Sequence, residues 1–123
     1  MKKTKAIKWL SEPEEHNYTA AESYLRLTFT PQESRLIILA LEDARIESFK
    51  SKDIFRASKL SLLGISNSHV EKNLKKIEKG KKLSPILLYR DTIHRTLIIA
   101  DGYHRMCAVY LHNEDAEIPC KII

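Results

Sequence analysis

Leu97-Ile98-Ile99-Ala100-Asp101-Gly102-Tyr103-His104-Arg105-Met106-Cys107-Ala108 is the stretch on which the fold turns. Leu97 to Ala100 is an apolar run of strand length. Gly102 supplies a one-glycine turn, and from Tyr103 onward Met106, Val109 and Tyr110, with Cys107 and Leu111, fall at helical spacing. Asp101 is the expected N-cap, because its carboxylate can accept a hydrogen bond from a free N–H of the first turn. The anomaly is the pair His104-Arg105. A helix amino end carries partial positive charge, so cationic side chains there are unfavourable by roughly 0.3–1 kcal/mol each. The same end, with its unpaired N–H groups, is a ready anion site. Positive charge added to a positive spot makes most sense if an anion sits there, phosphate first among them. The plainer alternative pairs Arg105 with a surface carboxylate and leaves His104 an ordinary half-buried histidine.

Working outward, Ile118 to Ile122 reads as a closing strand, and Ser84-Pro85-Ile86-Leu87-Leu88 as an earlier one. Arg90 to Arg95 between them is a hairpin-like loop, polar except for Ile93. Upstream, Ser66, Asn67 and Ser68 compete to cap a helix, with Ser68-x-x-Glu71 as a capping box and Gly80 as its end. Six lysines lie between Lys72 and Lys82, while Val70, Leu74 and Ile77 run at i, i+4, i+7. The lysines therefore read as the solvated face of an amphipathic helix rather than as a phosphate-tracking patch. Arg56 to Leu63 reads as a short helix stopped by Gly64, preceded by a strand and turn over Glu47 to Phe55. Thr30-Pro31-Gln32-Glu33 is a strong helix start, with Thr30 as N-cap, Pro31 at the first position and Glu33 completing a capping box. That helix should end near Ala44, and Leu36 to Leu41, apolar almost all round, predicts that it is buried. Thr19 to Phe29 reads as a further helix. Residues 1–16 are a polar lead-in, basic at first and then acidic at Glu12, Glu14 and Glu15.

Three segments taken in order, Ser84 to Leu88, Ile99 to Ala108 with its Gly-x-His-Arg-x-x-Ala core, and Ile118 to Ile122, resemble the ParB/sulfiredoxin superfamily. The likeness covers roughly residues 50–123 and extends to a group of small bacterial proteins with a stand-alone ParB-like domain. It implies an α+β fold: a core over 47–123 in which a small mixed sheet carries helices on one side. Two added helices within residues 1–46 would precede it, the whole 1–123 forming one domain. Leu87, Ile98 and Ile122 are the expected sheet-core residues. The resemblance also implies a nucleotide phosphate cradle at Asp101, Gly102, Tyr103, His104 and Arg105. Glycine lets backbone approach a phosphate closely, and an arginine fork suits its geometry.

Two activities of that superfamily fit poorly. Sulfiredoxin attacks with a cysteine where this chain has Tyr103, and neither Cys107 nor Cys120 occupies that position. Partition ParB proteins carry Glu-Arg-Arg after the glycine and a helix-turn-helix domain behind it, where this chain has Tyr103-His104-Arg105 and ends at Ile123. A third type, a free-serine kinase, shows that the fold can run phosphoryl transfer. That chemistry needs positioning, charge neutralisation by a divalent metal such as Mg2+, and a carboxylate to take the acceptor proton. Asp53 is the favoured carboxylate and His104 its companion in catalysis, with Asp101 and the Glu12, Glu14, Glu15 group as other candidates. Arg56, expected to open a helix as Arg105 does, is a second phosphate ligand. Asp53 and Arg56 should lie beside the Gly102–Arg105 turn, although a surface ion pair among Lys52, Asp53 and Arg56 explains them equally well.

Composition sets the outer bounds. A chain of 123 residues can bury roughly two-thirds of its unfolded surface in one core. There is no apolar run for a membrane span or secretory signal, so a membrane partner is not expected and the cytoplasm is the expected compartment. The two cysteines form neither a disulfide framework nor a zinc pattern, and no residue set is assigned to a metal. A net charge of +5 favours phosphate-bearing ligands but does not by itself indicate nucleic acid. Three functions remain in competition: a nucleotide-binding NTPase or phosphotransferase using a nucleoside triphosphate or diphosphate; a non-catalytic nucleotide- or nucleic-acid-binding regulatory module; and a ParB-like nuclease.

Overall fold

Ile86, Leu87 and Leu88 are each 0% exposed, so the strand that they open is covered on both faces. The computed structural model describes residues 5–123; residues 1–4, the start of the basic lead-in, lie outside the described residues. Among those described, the chain order is α1 (Glu15–Leu25), α2 (Pro31–Asp43), β1 (Glu47–Lys50), α3 (Ser51–Ser58), α4 (Ser68–Glu78), β2 (Ile86–Asp91), β3 (Thr96–Asp101), α5 (Tyr103–His112) and β4 (Glu117–Ile122). The architecture is α+β, with a mixed four-stranded sheet in the order β1-β4-β2-β3. β4 runs antiparallel to β1 and parallel to β2, and β2 and β3 form an antiparallel hairpin.

Helices cover both faces of this sheet: α3, α4 and α5 lie together on one face, as expected for residues 47–123, and α1 and α2 take the other. Ile86 and Leu88 of β2, Ile99 of β3, and Ile118, Cys120 and Ile122 of β4 pack with Ile54 of α3, Val70 and Ile77 of α4, and Met106 and Val109 of α5. The alternate residues, Leu87, Tyr89, Ile98 and Ala100, meet Tyr18, Ala21 and Leu25 of α1 and Ile37, Ile38 and Leu41 of α2. Strand residues alternate between faces, so an unbroken apolar run needs two covers. The two N-terminal helices supply the second cover and are an integral layer. Leu87 and Ile122 are buried as expected, on opposite faces, and Ile98 is half-buried.

Local signals set α2 almost residue for residue. Thr30 Oγ1 accepts from the Glu33 N–H at 3.1 Å and Glu33 Oε1 accepts from the Thr30 N–H at 2.9 Å, the expected capping box. Its expected full burial does not hold, since Leu36 and Leu39 are 67% and 49% exposed. α2 is an outer-layer helix, and only its inner side has anything to pack against.

Helix starts that depend on distant partners were displaced from their expected positions. α1 begins at Glu15 rather than Thr19, where the Glu14 N–H donates to Ser84 Oγ at 3.0 Å. α3 begins at Ser51 rather than Arg56. The N–H groups of Ser51 and Lys52 donate to the carbonyls of Ala116 and Glu114, and Ser51 Oγ donates to Glu114 O at 2.7 Å. Those acceptors lie in the loop after α5, so no cap is visible near Ser51 in the sequence. α4 is capped by Asn67, whose Oδ1 accepts from the N–H groups of His69 and Val70.

Candidate functional site

The hairpin register places the turn. Leu87 pairs with Asp101 while Leu88 pairs with Ile99, which leaves Ala100 as an extra residue in β3. Such a bulge bends its strand and redirects the side chains beyond it. Gly102 follows at φ 109°, and a Cβ there would lie 2.4 Å from Ile86 Cγ2 and 2.8 Å from Ile86 Cβ. Conformation and space both demand glycine at this position. Gly102, not Asp101, is the N-cap of α5, and no side chain caps this helix. The first-turn N–H groups of Tyr103, His104 and Arg105 are therefore left to point past the end of the helix.

Asp101 binds Arg105 instead of capping. Arg105 Nη2 donates to Asp101 Oδ2 at 2.8 Å, and both side chains are 17% exposed. The same nitrogen reaches Asn17 Oδ1 at 3.4 Å, and Ser84 Oγ donates to that oxygen at 2.6 Å. Arg105 Nε is buried without a hydrogen-bond partner. Arg105 thus turns back onto the sheet and joins β3 to α1, and through Asn17 to Ser84 in the segment leading into β2. Its partners exceed the surface-carboxylate alternative, because the pair is largely enclosed.

His104 points elsewhere. Its ring lies 4.9 Å from that of His69 and 5.6 Å from that of Tyr103. Burial first, and the neighbouring His69 second, push the His104 pKa below the ordinary histidine value. Near neutral pH it is an uncharged imidazole. The Tyr103 hydroxyl donates to the Ser61 carbonyl and fastens the 59–67 connection beside the turn. Both cysteines are buried, and burial above all pushes Cys120 up to about 12 and raises Cys107. Neither thiol is placed to act as a nucleophile.

Asp53 and Arg56 pair with each other on α3 rather than with a residue of this turn. Arg56 lies in the last turn of α3, where its charge suits the helix carboxyl end, and does not open a helix. Its Nη2 donates to Asp53 Oδ1 at 3.0 Å, with the two side chains 78% and 50% exposed. α3 lies on the same face of the sheet as α5, but its start is tied to the loop after α5, and Phe55 packs on Tyr110 with ring centroids 4.9 Å apart. Asp53 lines a hollow of about 230 Å³ with Phe49, Leu88, Arg90, Leu97 and Ile122. Leu97 is four residues before Asp101, about 13 Å along the strand. The ion-pair reading accounts for both residues. Glu12, another candidate carboxylate, instead meets Lys121 Nζ at 3.3 Å.

The sequence alone marks neither His69 nor Asn17 as part of this site, and it marks Ser84 only as the start of the segment leading into β2. His69 carries the signal that marked His104, a basic ring just inside a helix start, and Asn67 two residues earlier fixes that start. Asn17 has no local mark and becomes part of the site by burial alone.

No family model matches the chain, and neither a curated protein nor a solved structure matches it.

Proposed function

We propose that the protein binds a phosphate-bearing nucleotide at the amino end of α5, as a ParB-like phosphate cradle, and that binding rather than phosphoryl transfer is its activity. The observation that carries this reading is the meeting of two helix amino ends at His69 and His104, whose rings are 4.9 Å apart. α4 has its Asn67 cap whereas α5 has none, so the open N–H groups belong to α5 and the positive ends of both macrodipoles fall on one spot. Backbone N–H groups of Tyr103 to Arg105 would hold the phosphate oxygens. His104 would add a charge-assisted donor once protonated, with the His69 ring beside it. Arg105 would hold the turn through Asp101 and Asn17 rather than grip the ligand. A nucleoside triphosphate or diphosphate, with or without Mg2+, is the ligand class. Asp53, the candidate proton acceptor, is engaged by Arg56 at 3.0 Å, which favours binding over catalysis.

The test is a thermal-shift panel of nucleoside diphosphates and triphosphates with and without magnesium, on the wild type and His104→Glu. A carboxylate at this position suits the helix dipole, so the variant should gain roughly 0.3–1 kcal/mol in stability and should repel the phosphate. A ligand at a hundred times its Kd should stabilise the wild type by about 2.7 kcal/mol. The expected result is a nucleotide-dependent rise in Tm that His104→Glu abolishes. An equal rise in both proteins would place the ligand elsewhere.

A further inference from the structure

The tertiary structure assembles a cationic surface that the sequence leaves in two pieces. One piece is the lysine run of α4 and its exit: Lys72, Lys75, Lys76, Lys79, Lys81 and Lys82. The other is the N-terminal segment. Leu10 N donates to Leu83 O at 2.8 Å and Leu83 N donates to Lys8 O at 2.9 Å, so residues 8–10 run beside the exit of α4. Lys5 Nζ donates to the Glu78 carbonyl at the carboxyl end of α4. The Lys8 ammonium lies 3.7 Å from where a Gly80 side chain would begin. Eight lysines thus share this surface with Glu71 and Glu78, a net of six positive charges, one more than the +5 of the whole chain. The rest of the molecule is close to neutral, and the charge is concentrated here.

Complementing the carboxyl end of α4 accounts for Lys75, Lys76 and Lys79. It does not account for Lys72 in the first half of the helix, for Lys8, or for Lys81 and Lys82 beyond the helix end. Within the α4 stretch Lys75 is paired, with Glu71 at 3.2 Å. We propose that this surface docks the phosphodiester backbone of duplex nucleic acid, without reading its sequence. The apolar residues of α4 favour this partner over a lipid surface. Val70, Leu74 and Ile77 are packed into the core, so α4 has no apolar side to insert between lipids. A duplex also fits better than a single strand. Single strands are held by exposed aromatic rings on which bases stack, and the exposed ring among the described residues, Tyr24, is on α1 across the sheet. Trp9, beside Lys8, is half-buried against the core, so the lysines along this helix and its exit have no fully exposed ring among them and match a backbone whose charge is dense and regular.

This surface does not rest on the nucleotide reading, because α4's lysines extend away from the His69 end toward its carboxyl end. The test is fluorescence anisotropy of the full chain with a labelled duplex of arbitrary sequence, a single strand of equal length, and anionic vesicles. The salt dependence is measured from 50 to 200 mM. Contacts to about five phosphates predict an affinity loss of about 500-fold over that range. Lys72→Gln/Lys79→Gln/Lys82→Gln should lower the salt slope by about three and weaken duplex binding at least tenfold, with circular dichroism unchanged because all three side chains are exposed. Absent duplex binding at 50 mM salt, tighter binding to single strands or vesicles, or an unaffected triple variant would each overturn the proposal.

Discussion

The Arg105 guanidinium closes on the Asp101 carboxylate four residues earlier, at 2.8 Å across the Gly102 turn, with 17% of either side chain exposed. An arginine at a helix amino end is thereby neutralised by the residue before the turn and braced against Asn17 of α1. Breaking a largely buried pair leaves the surviving charge without a partner, at a cost of about 3–5 kcal/mol. Arg105→Ala should therefore lower stability by about 3 kcal/mol, which denaturant unfolding measures. Asp101→Ala/Arg105→Ala should cost less than the two single changes added together, since no orphaned charge remains. Strict additivity would show that the two side chains do not act as a pair.

His104 makes stability depend on pH. Its folded pKa is depressed, so the unfolded chain takes up a proton that the folded chain refuses as the pH falls below the ordinary value of 6.5. The stabilising contribution is complete above about pH 6.5 and is lost as pH falls from there through the folded value. His104→Gln should flatten the stability profile between about pH 5 and 7. Sulfate keeps a constant charge over this range and prefers the protonated ring, so its stabilising effect should grow as the pH falls. Equal sulfate stabilisation at both ends of the range would remove His104 from the anion site.

Gly102→Ala should be among the most damaging single-atom additions. Its φ of 109° is strained for any L side chain, and the new Cβ would meet Ile86 Cγ2 at 2.4 Å. Backbone strain and overpacking each cost roughly 1–3 kcal/mol, so a loss of at least 2 kcal/mol is expected by chemical denaturation. A loss of only a few tenths would mean that the turn relaxes without using its left-handed conformation.

Lys121 joins the sheet to the outer helical layer. Its Nζ donates to the Glu42 carbonyl at 2.8 Å and meets Glu12 Oε1 at 3.3 Å, although the side chain is only 3% exposed. Burial opposes its charge, but hydrogen bonds to Tyr18 and Glu12 outweigh it and the pKa is raised. Lys121→Ala should cost about 2–4 kcal/mol through lost packing and an unpaired carbonyl. Lys121→Met keeps the stem and removes the charge, and should cost less than about 1.5 kcal/mol. Equal losses in the two variants would show that the ammonium, not the stem, supplies the stabilisation.

Where the physics is local, the sequence by itself determined the result. Thr30-Pro31-Gln32-Glu33 carries its own cap, so the start of α2 is legible without any partner. The apolar run ending at Ala100, then Gly102, then the periodicity from Tyr103 placed β3 to within a residue at either end and the start of α5 to within a residue. What the tertiary structure decided is each feature whose partner is distant in the chain. α3 starts at Ser51 because carbonyls beyond α5 receive its N–H groups, and that change moved Arg56 from a helix start to a helix end. Asp101 left its capping role because a bulge at Ala100 and the buried Asn17 offered Arg105 a better-enclosed arrangement. The second helical layer was written in Ile86-Leu87-Leu88 as a need for two covers, but only packing could assign α1 and α2 to meet it. His69 and His104, separated by the whole of β2 and β3, became neighbours because the amino ends of α4 and α5 converge. Sequence spacing records periodicity along one element, and contact between elements depends on how their apolar faces close over a shared core.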